Sequence, residues 1–414
     1  MIDNKIYLEN GICKFYTILL VIFPLLNIYS IGFFSLTMAD VIILPTILLL
    51  IIRIPFKNIK INKFYMASIA LNIFGVAFAY ILGTLTNSVD NFLTLCRYLM
   101  YIFCFTFFED FFNYVLAKKW IIIVAIIATI FIIFQMIMVK LFNIYVKGYL
   151  PFLPLTNPEV IFYGLGDYLG IIITPNNIRP RSFFMEPSHY GIYIVVALYL
   201  VLFKTQNTKK AIKWTIIMVL GLLISRSSTG IICAIYLLAI KLITLINKYS
   251  KIDKRKLYLI FGCALIGVIV IINTSFFNDF LGRIINNGEV AASVHNRFDG
   301  FEQFNAFIKL NIAERYFGKG FGLGDIYMTS FIKTLYEGGY CAFLGLLIIL
   351  GYLLFQGKKT NNLILFGMII FLGIGTEILN GSFVLILYPF MTANSNSYEN
   401  INMIGINKKK VGEV

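Results

Sequence analysis

The stretch IRPRSFFMEPSHYGIYIVVALYLVLFK, residues 178–204, joins a group of polar side chains to an apolar run. Two arginines, a glutamate, a serine and a histidine come first, and a nearly unbroken series of apolar residues follows. An apolar block of about 20 residues is the length that crosses a bilayer as a helix. Strands of a membrane β-barrel alternate in polarity, so the continuous block excludes that class. The stretch predicts a membrane-spanning helix over 187–204 with polar chemistry at its start.

The rest of the 414-residue chain has the same character, being 59% hydrophobic and only 13% charged. A soluble domain carries about 25% charged residues. The last two apolar blocks are short, with Glu377, Asn380 and Gly381 between them, and one broken helix is the alternative. The sequence therefore predicts an all-α polytopic membrane protein with 11 or 12 transmembrane helices, forming a single integral membrane domain over 1–414. The twelve blocks are 15–36, 38–54, 64–86, 92–112, 119–139, 187–204, 211–225, 229–247, 257–274, 328–355, 362–376 and 379–393.

The basic residues orient these blocks. Most of the 35 Lys and Arg residues follow even-numbered blocks or lie near the termini. Cytoplasmic loops collect Lys and Arg, so both termini are predicted to be cytoplasmic. The two long connections, 140–186 and 275–327, then lie outside. Long connections in compact proteins are usually functional or disordered, and the apolar patches and glycine turns in these two favour folded loops, so we expect function there. The first block lacks a small-residue cleavage site and is interpreted as a span rather than a signal peptide.

Two other classes of site are not supported by the composition. The net charge of +15 comes mostly from lysines in one set of loops, without a basic patch interleaved with aromatics, so no nucleic-acid partner is expected. The six cysteines lie in or beside apolar blocks and have no metal-type spacing. Neither a disulfide framework nor a zinc site is therefore expected, and the sequence indicates no cofactor.

The polar part of the first stretch predicts an anion site. Pro187 suits the first turn of a helix, and a helix N-terminus presents free N–H groups and a positive dipole. Arg179 and Arg181 add fixed positive charge, and arginine binds phosphate through two parallel hydrogen bonds. Glu186 and His189 share a helix face, and either is a candidate proton acceptor. In the simpler interpretation, Glu186 neutralises an arginine and His189 is an interfacial polar residue.

Two further arginines are candidate substrate-binding residues. Arg226 lies in ISRSSTGI, a tight outer turn, where it would reach an anionic head group; an ordinary capped turn is the alternative. Arg97 is the one basic residue well inside a predicted span. Buried charges in membranes are costly and usually functional, although a long side chain also reaches the membrane surface by snorkelling.

The second long connection contains SVHNRFDGFEQF, in which His295 and Arg297 flank an asparagine. Apolar residues recur at a helical period from Arg297 to Arg315, which predicts one helix on the membrane surface. The following GKGFGLG, 318–324, does not follow a strand and is not a nucleotide-binding signature. Its glycines are predicted to form a turn that lets backbone approach a ligand.

Several of these segments resemble bacterial O-antigen and polysaccharide polymerases of the Wzy type and, more distantly, the O-antigen ligases. The resemblance rests on the layout of two long outer loops and on short, loose motifs. They are RPRSFFMEPSHYGIY, SRSSTG, HNRFDG, GKGFGLG and SFIKTLYEGGYCAFLG. It implies a multi-pass protein of the bacterial cytoplasmic (inner) membrane, with a membrane-embedded glycosyltransferase fold of the GT-C type. In this family arginines of both loops are essential, here Arg179 or Arg181 and Arg297. The histidine common in relatives just before span ten is missing here.

The resemblance also implies a substrate, which is a sugar repeat unit linked to undecaprenyl pyrophosphate. It implies a chain-length regulator protein as a partner, in addition to the lipid bilayer. Arginines would stabilise the leaving pyrophosphate, and a carboxylate would take the proton of the attacking hydroxyl. Glu186, Arg181 and Arg297 are the predicted catalytic residues. No paired outer acidic motif is present, so we expect no metal. An O-antigen ligase and a non-enzymatic flippase are the alternatives, although the chain shows no internal repeat of the kind transporters carry. The predicted substrate-binding residues are Arg179, Arg226, His189, His295 and Arg97.

Overall fold

The chain is helical throughout the part that the structure describes. The computed structural model describes residues 11–32, 36–55, 59–85, 89–156, 179–249, 300–322 and 328–393. Within these ranges no β-strand occurs, and only isolated bridges join Tyr29 to Leu155 and Ser30 to Thr37. The predicted all-α class is confirmed for these residues. The predicted span at 257–274 and the candidates His295 and Arg297 lie outside them.

Thirteen α-helices are formed by the described residues, and most begin or end near the predicted block boundaries. Short 3₁₀ turns occupy Glu109–Phe111 and Ile378–Asn380. The helices are α1 (Gly11–Leu26), α2 (Met38–Arg53), α3 (Lys63–Ile81), α4 (Val89–Phe108), α5 (Tyr114–Phe142), α6 (Pro187–Lys204), α7 (Thr208–Ser225), α8 (Ser228–Tyr249), α9 (Gly300–Ile308), α10 (Ile312–Phe317), α11 (Ser330–Thr360), α12 (Leu363–Gly375) and α13 (Val384–Thr392).

Six of the described helical segments are long and apolar enough to cross a membrane, which makes this a multi-pass membrane protein. They are Lys63–Ile81, Phe92–Phe111, Tyr114–Phe142, Pro187–Lys204, Ser228–Ile246 and Ser330–Thr360. Helices α1 and α12 are shorter apolar helices. The total of 11 or 12 crossings and the GT-C fold stay predictions.

The predicted last block, 379–393, takes a different form from a simple span. It divides into the 3₁₀ turn at Ile378–Asn380, a bend at Gly381 and the nine-residue helix α13. Nine residues rise only about 14 Å, whereas the hydrocarbon core of a bilayer is about 30 Å thick. Every residue from Val384 to Met391 is buried in protein. This short helix therefore packs inside the bundle, where protein rather than lipid surrounds it.

Helix α6 is the centre of the bundle. All residues from Tyr190 to Val201 are buried, which requires neighbours on every side. An all-round apolar helix is a core helix, and α6 contacts α5, α7 and α8 along its length. Small residues allow the closest of these approaches: a Cβ on Gly230 of α8 would lie 2.7 Å from the Cα of Gly191. The N-terminus of α6 is thereby fixed in place.

The loops gather at two ends of the bundle. At one end the Lys118 ammonium group donates to the Lys204 carbonyl. The Lys204 ammonium group in turn donates to the Asn361 carbonyl. At the other end the first long loop is tied down by Thr156, whose hydroxyl donates to the Asn27 carbonyl at 3.0 Å. Among the connections that the structure describes, one set thus lies at a lysine-rich end and the other at the end that carries the start of α6.

The second long loop corrects one prediction. The helical period from Arg297 to Arg315 predicted a single helix, but the described part forms two, α9 and α10. Asn311 divides them because its side chain accepts the Glu314 N–H at 2.8 Å, while Glu314 accepts the Asn311 N–H at 3.0 Å. This reciprocal capping box starts a new helix.

The orientation of the two ends is testable with reporter fusions. We expect reporters placed after Lys147 and after Asn305 to respond as extracytoplasmic, because lysines concentrate at the opposite end and are retained in the cytoplasm. A fusion after Lys358 is the matched control and should respond as cytoplasmic. A cytoplasmic response at Lys147 or Asn305 contradicts the predicted topology.

Candidate functional site

The N-terminus of α6 opens into a cavity. Pro187 occupies the first turn, as the sequence predicted, and Glu186 precedes it in an extended conformation. The Ser188 hydroxyl donates to Oε2 of Glu186 at 2.7 Å, which orients the carboxylate. The His189 ring packs against Phe383, with ring centroids 5.3 Å apart. All of these except Pro187 line the cavity.

The cavity has a volume of about 600 Å³ and mixes charged with apolar walls. Its walls come from the end of α1, the outer part of α4, the start of α6, the start of α11 and the turn between α12 and α13. Its charged or polar lining residues include Arg97, Glu186, Ser188, His189, Lys333, Glu337, Glu377 and Asn380. A concave, largely preformed pocket with a few converging polar groups is the usual form of a ligand site.

Arg97 is held at the cavity wall by a buried carboxylate. Its Nε lies 2.9 Å from Oδ2 of Asp40, and the two side chains are 22% and 2% exposed. Asp40 also accepts the backbone N–H and the hydroxyl of Thr37, at 3.0 and 2.9 Å. The Tyr101 hydroxyl lies 3.4 Å from Oδ1. Arg97 is therefore anchored within the bundle rather than simply extended to the membrane surface.

Arg181 lies behind the cavity wall rather than in it. Its side chain is 5% exposed, and Nη1 donates to the Met185 carbonyl at 3.0 Å. Burial lowers the pKa of this guanidinium below its ordinary value, while the nearby Tyr145, Tyr149 and Glu186 oppose that shift. Its positive charge is thus placed close to Glu186.

Gln135 of α5, which the sequence analysis did not select, fixes the turn that carries Arg181. Its Oε1 accepts the Ser182 N–H at 3.0 Å, and its Nε2 donates to the Val146 carbonyl at 2.8 Å. Ser182 has a left-handed φ of 58°. Gln135 could not be selected from the sequence, because the pattern of an apolar helix does not show that one of its polar residues will contact a loop.

Two of the other candidate arginines, Arg179 and Arg226, contact each other. Nη2 of Arg179 donates to the backbone carbonyl of Arg226 at 3.1 Å, and Arg226 ends α7 with a left-handed φ of 52°. Neither side chain is part of the cavity lining. The small residues of SRSSTG serve the crossing of α6 and α8, since a Cβ on Gly191 would clash with the Ser227 side chain. Of the eight residues selected from the sequence, the described cavity contains Glu186, His189 and Arg97.

The sequence pattern of the WcaD colanic acid polymerase family matches residues 13–298. The chain belongs to this family. The match confirms the resemblance to Wzy-type polymerases and indicates polymerisation of polysaccharide repeat units in a membrane. No curated protein matches the chain.

The match covers α4 and the start of α6, but the wall of the cavity that α11 and α12 supply lies beyond it. Lys333, Glu337 and Glu377 are on this wall, and the sequence analysis did not select them. Lys333 Nζ lies 2.8 Å from Oε2 of Glu377. The available signal was the spacing of Lys333 and Glu337, four residues apart on one helix face at the start of an apolar span.

The described part of the glycine-rich segment of this polymerase packs against helix α11. The sequence predicted that its backbone would approach a ligand. Gly318, Gly320 and Gly322 all have positive φ. The N–H groups of Lys319 and Gly320 donate to the carbonyls of Tyr336 and Glu337 at 3.3 and 2.9 Å. These carbonyls need partners because α11 breaks at Gly339, which has φ 64° and ψ −168°.

The Asp40–Arg97 pair generates a prediction about stability. Asp40→Asn removes the buried charge that lies 2.9 Å from Nε of the largely buried Arg97, so we expect destabilisation by about 3 kcal/mol and loss of polymer formation. The double variant Asp40→Asn, Arg97→Gln should recover much of the stability but none of the activity, because the cation is gone. Thermal unfolding in detergent and polymer yield measure the two effects.

Asp110→Asn is the matched control, since Asp110 pairs with Lys60 at 3.8 Å where both side chains are exposed. An exposed pair contributes at most about 1 kcal/mol. Equal effects of Asp40→Asn and Asp110→Asn would show that the buried pair has no special role.

Proposed function

We propose that the cavity joins lipid-linked oligosaccharide repeat units into a polysaccharide on the outer face of the cytoplasmic membrane. The supporting observation is a pocket that is lined by both carboxylates and cations. It lies at the end of the bundle that carries the long loops, in a chain that belongs to a polymerase family. The proposed donor is the growing chain on undecaprenyl pyrophosphate, and the acceptor is the next lipid-linked unit. The product belongs to the O-antigen or capsule type of polysaccharide.

The proposed reaction is a displacement at the anomeric carbon of the growing chain. A hydroxyl oxygen of the acceptor sugar forms the new bond to that carbon, while the bond from the carbon to the pyrophosphate oxygen breaks. The electron pair leaves with undecaprenyl pyrophosphate. Glu186 takes the hydroxyl proton as general base, and the Ser188 hydroxyl holds its carboxylate at 2.7 Å.

Cations of the protein would balance the charge that develops on the pyrophosphate, without a metal. In the described part of the cavity lining, these cations are the side chains of Arg97 and Lys333. The buried charge of Arg181 lies close behind Glu186 and adds to the positive field. We propose that four further residues guide the anionic head group toward the cavity, since fixed positive charge steers anions. They are Arg179 and Arg226, together with Arg297 and His295 of the second loop. His189 would contact the substrate.

Loss of the whole protein tests the reaction class. We expect a deletion strain to accumulate lipid-linked single repeat units and to lack long polysaccharide, because the joining step is missing. Size separation of the lipid-linked and released glycans measures this. A strain that still makes long chains but fails to attach them to their final carrier would instead support the ligase alternative, and absence of lipid-linked units on the outer face would support the flippase.

Substitution of Glu186 tests the proposed base. Glu186→Gln keeps shape and hydrogen bonding but cannot accept the proton, so the rate per folded molecule should fall by about 100-fold or more while lipid-linked substrate still binds. Glu186→Asp should retain part of the rate.

Arg97→Lys should fail nearly as badly as Arg97→Ala, because lysine lacks the two-pronged geometry.

The control is Glu314→Gln, at the same end of the protein, where the side chain only caps α10. Glutamine serves the same capping position, so activity and stability should stay near the wild-type values. A normal rate per folded molecule in Glu186→Gln would remove Glu186 from the mechanism and leave the cavity as a binding site only.

A further inference from the structure

The cavity contains a second fixed carboxylate, Glu337, which the proposed proton transfer does not use. Its side chain is only 3% exposed, yet it lines the cavity. Taking a carboxylate out of water is costly unless hydrogen bonds or charges compensate. Oε1 accepts the Gly322 N–H at 3.0 Å. This bond orients the carboxylate, and the residue lines the cavity, where a ligand would meet it.

Glu337 is held from its backbone as well as from its side chain. Its carbonyl accepts the Gly320 N–H at 2.9 Å, two residues before the break in α11 at Gly339. A Cβ on Gly318 would collide with that same carbonyl, and a Cβ on Gly339 would lie 2.5 Å from the backbone of Tyr316. The glycines therefore let the loop clamp this one turn of α11, and the carboxylate is fixed before any substrate arrives.

An aromatic surface lies beside this carboxylate. The rings of Tyr98 and Phe321 stack with centroids 5.9 Å apart and an interplanar angle of 24°, and both residues line the cavity. A Cβ on Gly338, the residue after Glu337, would lie 3.0 Å from Cζ of Phe321. Phe321 thus packs directly against the turn that carries the carboxylate.

We propose that Glu337, Tyr98 and Phe321 form the subsite for the acceptor sugar. This inference rests on the proposed function and names a part of its substrate. A sugar ring has hydroxyl donors on its edge and C–H groups on its faces, which complement a fixed carboxylate and an aromatic surface, respectively. A pyrophosphate or an acidic sugar is repelled by the carboxylate. The occupant is therefore a neutral sugar with free hydroxyls, and the donor's pyrophosphate lies toward Arg97 and Lys333.

The test separates binding of the acceptor from chemistry. Mild acid releases the oligosaccharide from the lipid-linked repeat unit and leaves an acceptor that has no leaving group. Glu337→Gln keeps the oxygen that accepts the Gly322 N–H but loses the charge, so hydrogen bonds to the sugar weaken. We expect the KM for this free acceptor to rise about tenfold, while kcat at saturating acceptor stays near the wild-type value. Phe321→Leu, which leaves the clamp intact, should raise the same KM.

Binding of the free oligosaccharide by calorimetry, which needs no turnover, should weaken in both variants and stay unchanged in Glu314→Gln. Thermal unfolding checks that each variant is folded, and Phe321→Leu decides the matter if Glu337→Gln does not accumulate. An acceptor KM and affinity within about twofold of wild type, or a loss of kcat with KM unchanged, overturns the proposed subsite. Failure of the wild type to join intact lipid-linked repeat units would instead overturn the proposed function.

Discussion

The structure depends on satisfying backbone polar groups where helices break inside a membrane protein. Lipid offers no hydrogen-bond partners, so non-helical backbone persists only where protein or a water-filled cavity surrounds it. The break between α12 and α13 meets this condition: the Thr376 carbonyl accepts both the N–H and the hydroxyl of Ser330, at 2.8 and 2.7 Å. The Ser330 hydroxyl oxygen then accepts the Leu379 N–H at 3.0 Å. One serine at the start of α11 therefore stabilises the turn opposite it.

The cavity follows from that constraint. Residues next to a helix start or a helix break line the cavity. Glu186 precedes α6, Glu337 precedes the break in α11, and Glu377 follows α12. Carboxylates and cations consequently face one another across a cavity of about 600 Å³. Such a site suits the substrate that we propose, since its sugar and its pyrophosphate would each meet groups of the complementary kind.

Close helix crossings hold the walls in position. Gly191 and Gly230 let α8 approach the start of α6, and Gly345 lets α11 approach α3 so closely that a Cβ would lie 2.9 Å from the Ser68 hydroxyl. Small residues have this role in membrane bundles, where packing rather than hydrophobic burial drives association. The ion pair of Asp40 with Arg97 joins α2 to α4. The wall of the site is thus rigid through packing and charge together.

The sequence by itself determined the class of protein and the starting point of the site. Apolar block lengths predicted the helices, and Pro187 after Glu186 marked the start of α6, because these features depend on residues close together in the chain. It also placed Glu186, His189 and Arg97 among the candidates, and they line one cavity. Only the tertiary structure decided which distant residues join them. Asp40 lies on α2, and Lys333 and Glu337 lie on α11, and the order of these helices along the chain gives no distance from either helix to α6. Arg181 lies behind the wall because Gln135, 46 residues earlier, accepts the N–H of its neighbour Ser182. Periodicity reports which face of a helix is apolar, but the partner of a buried charge is set by how the helices pack.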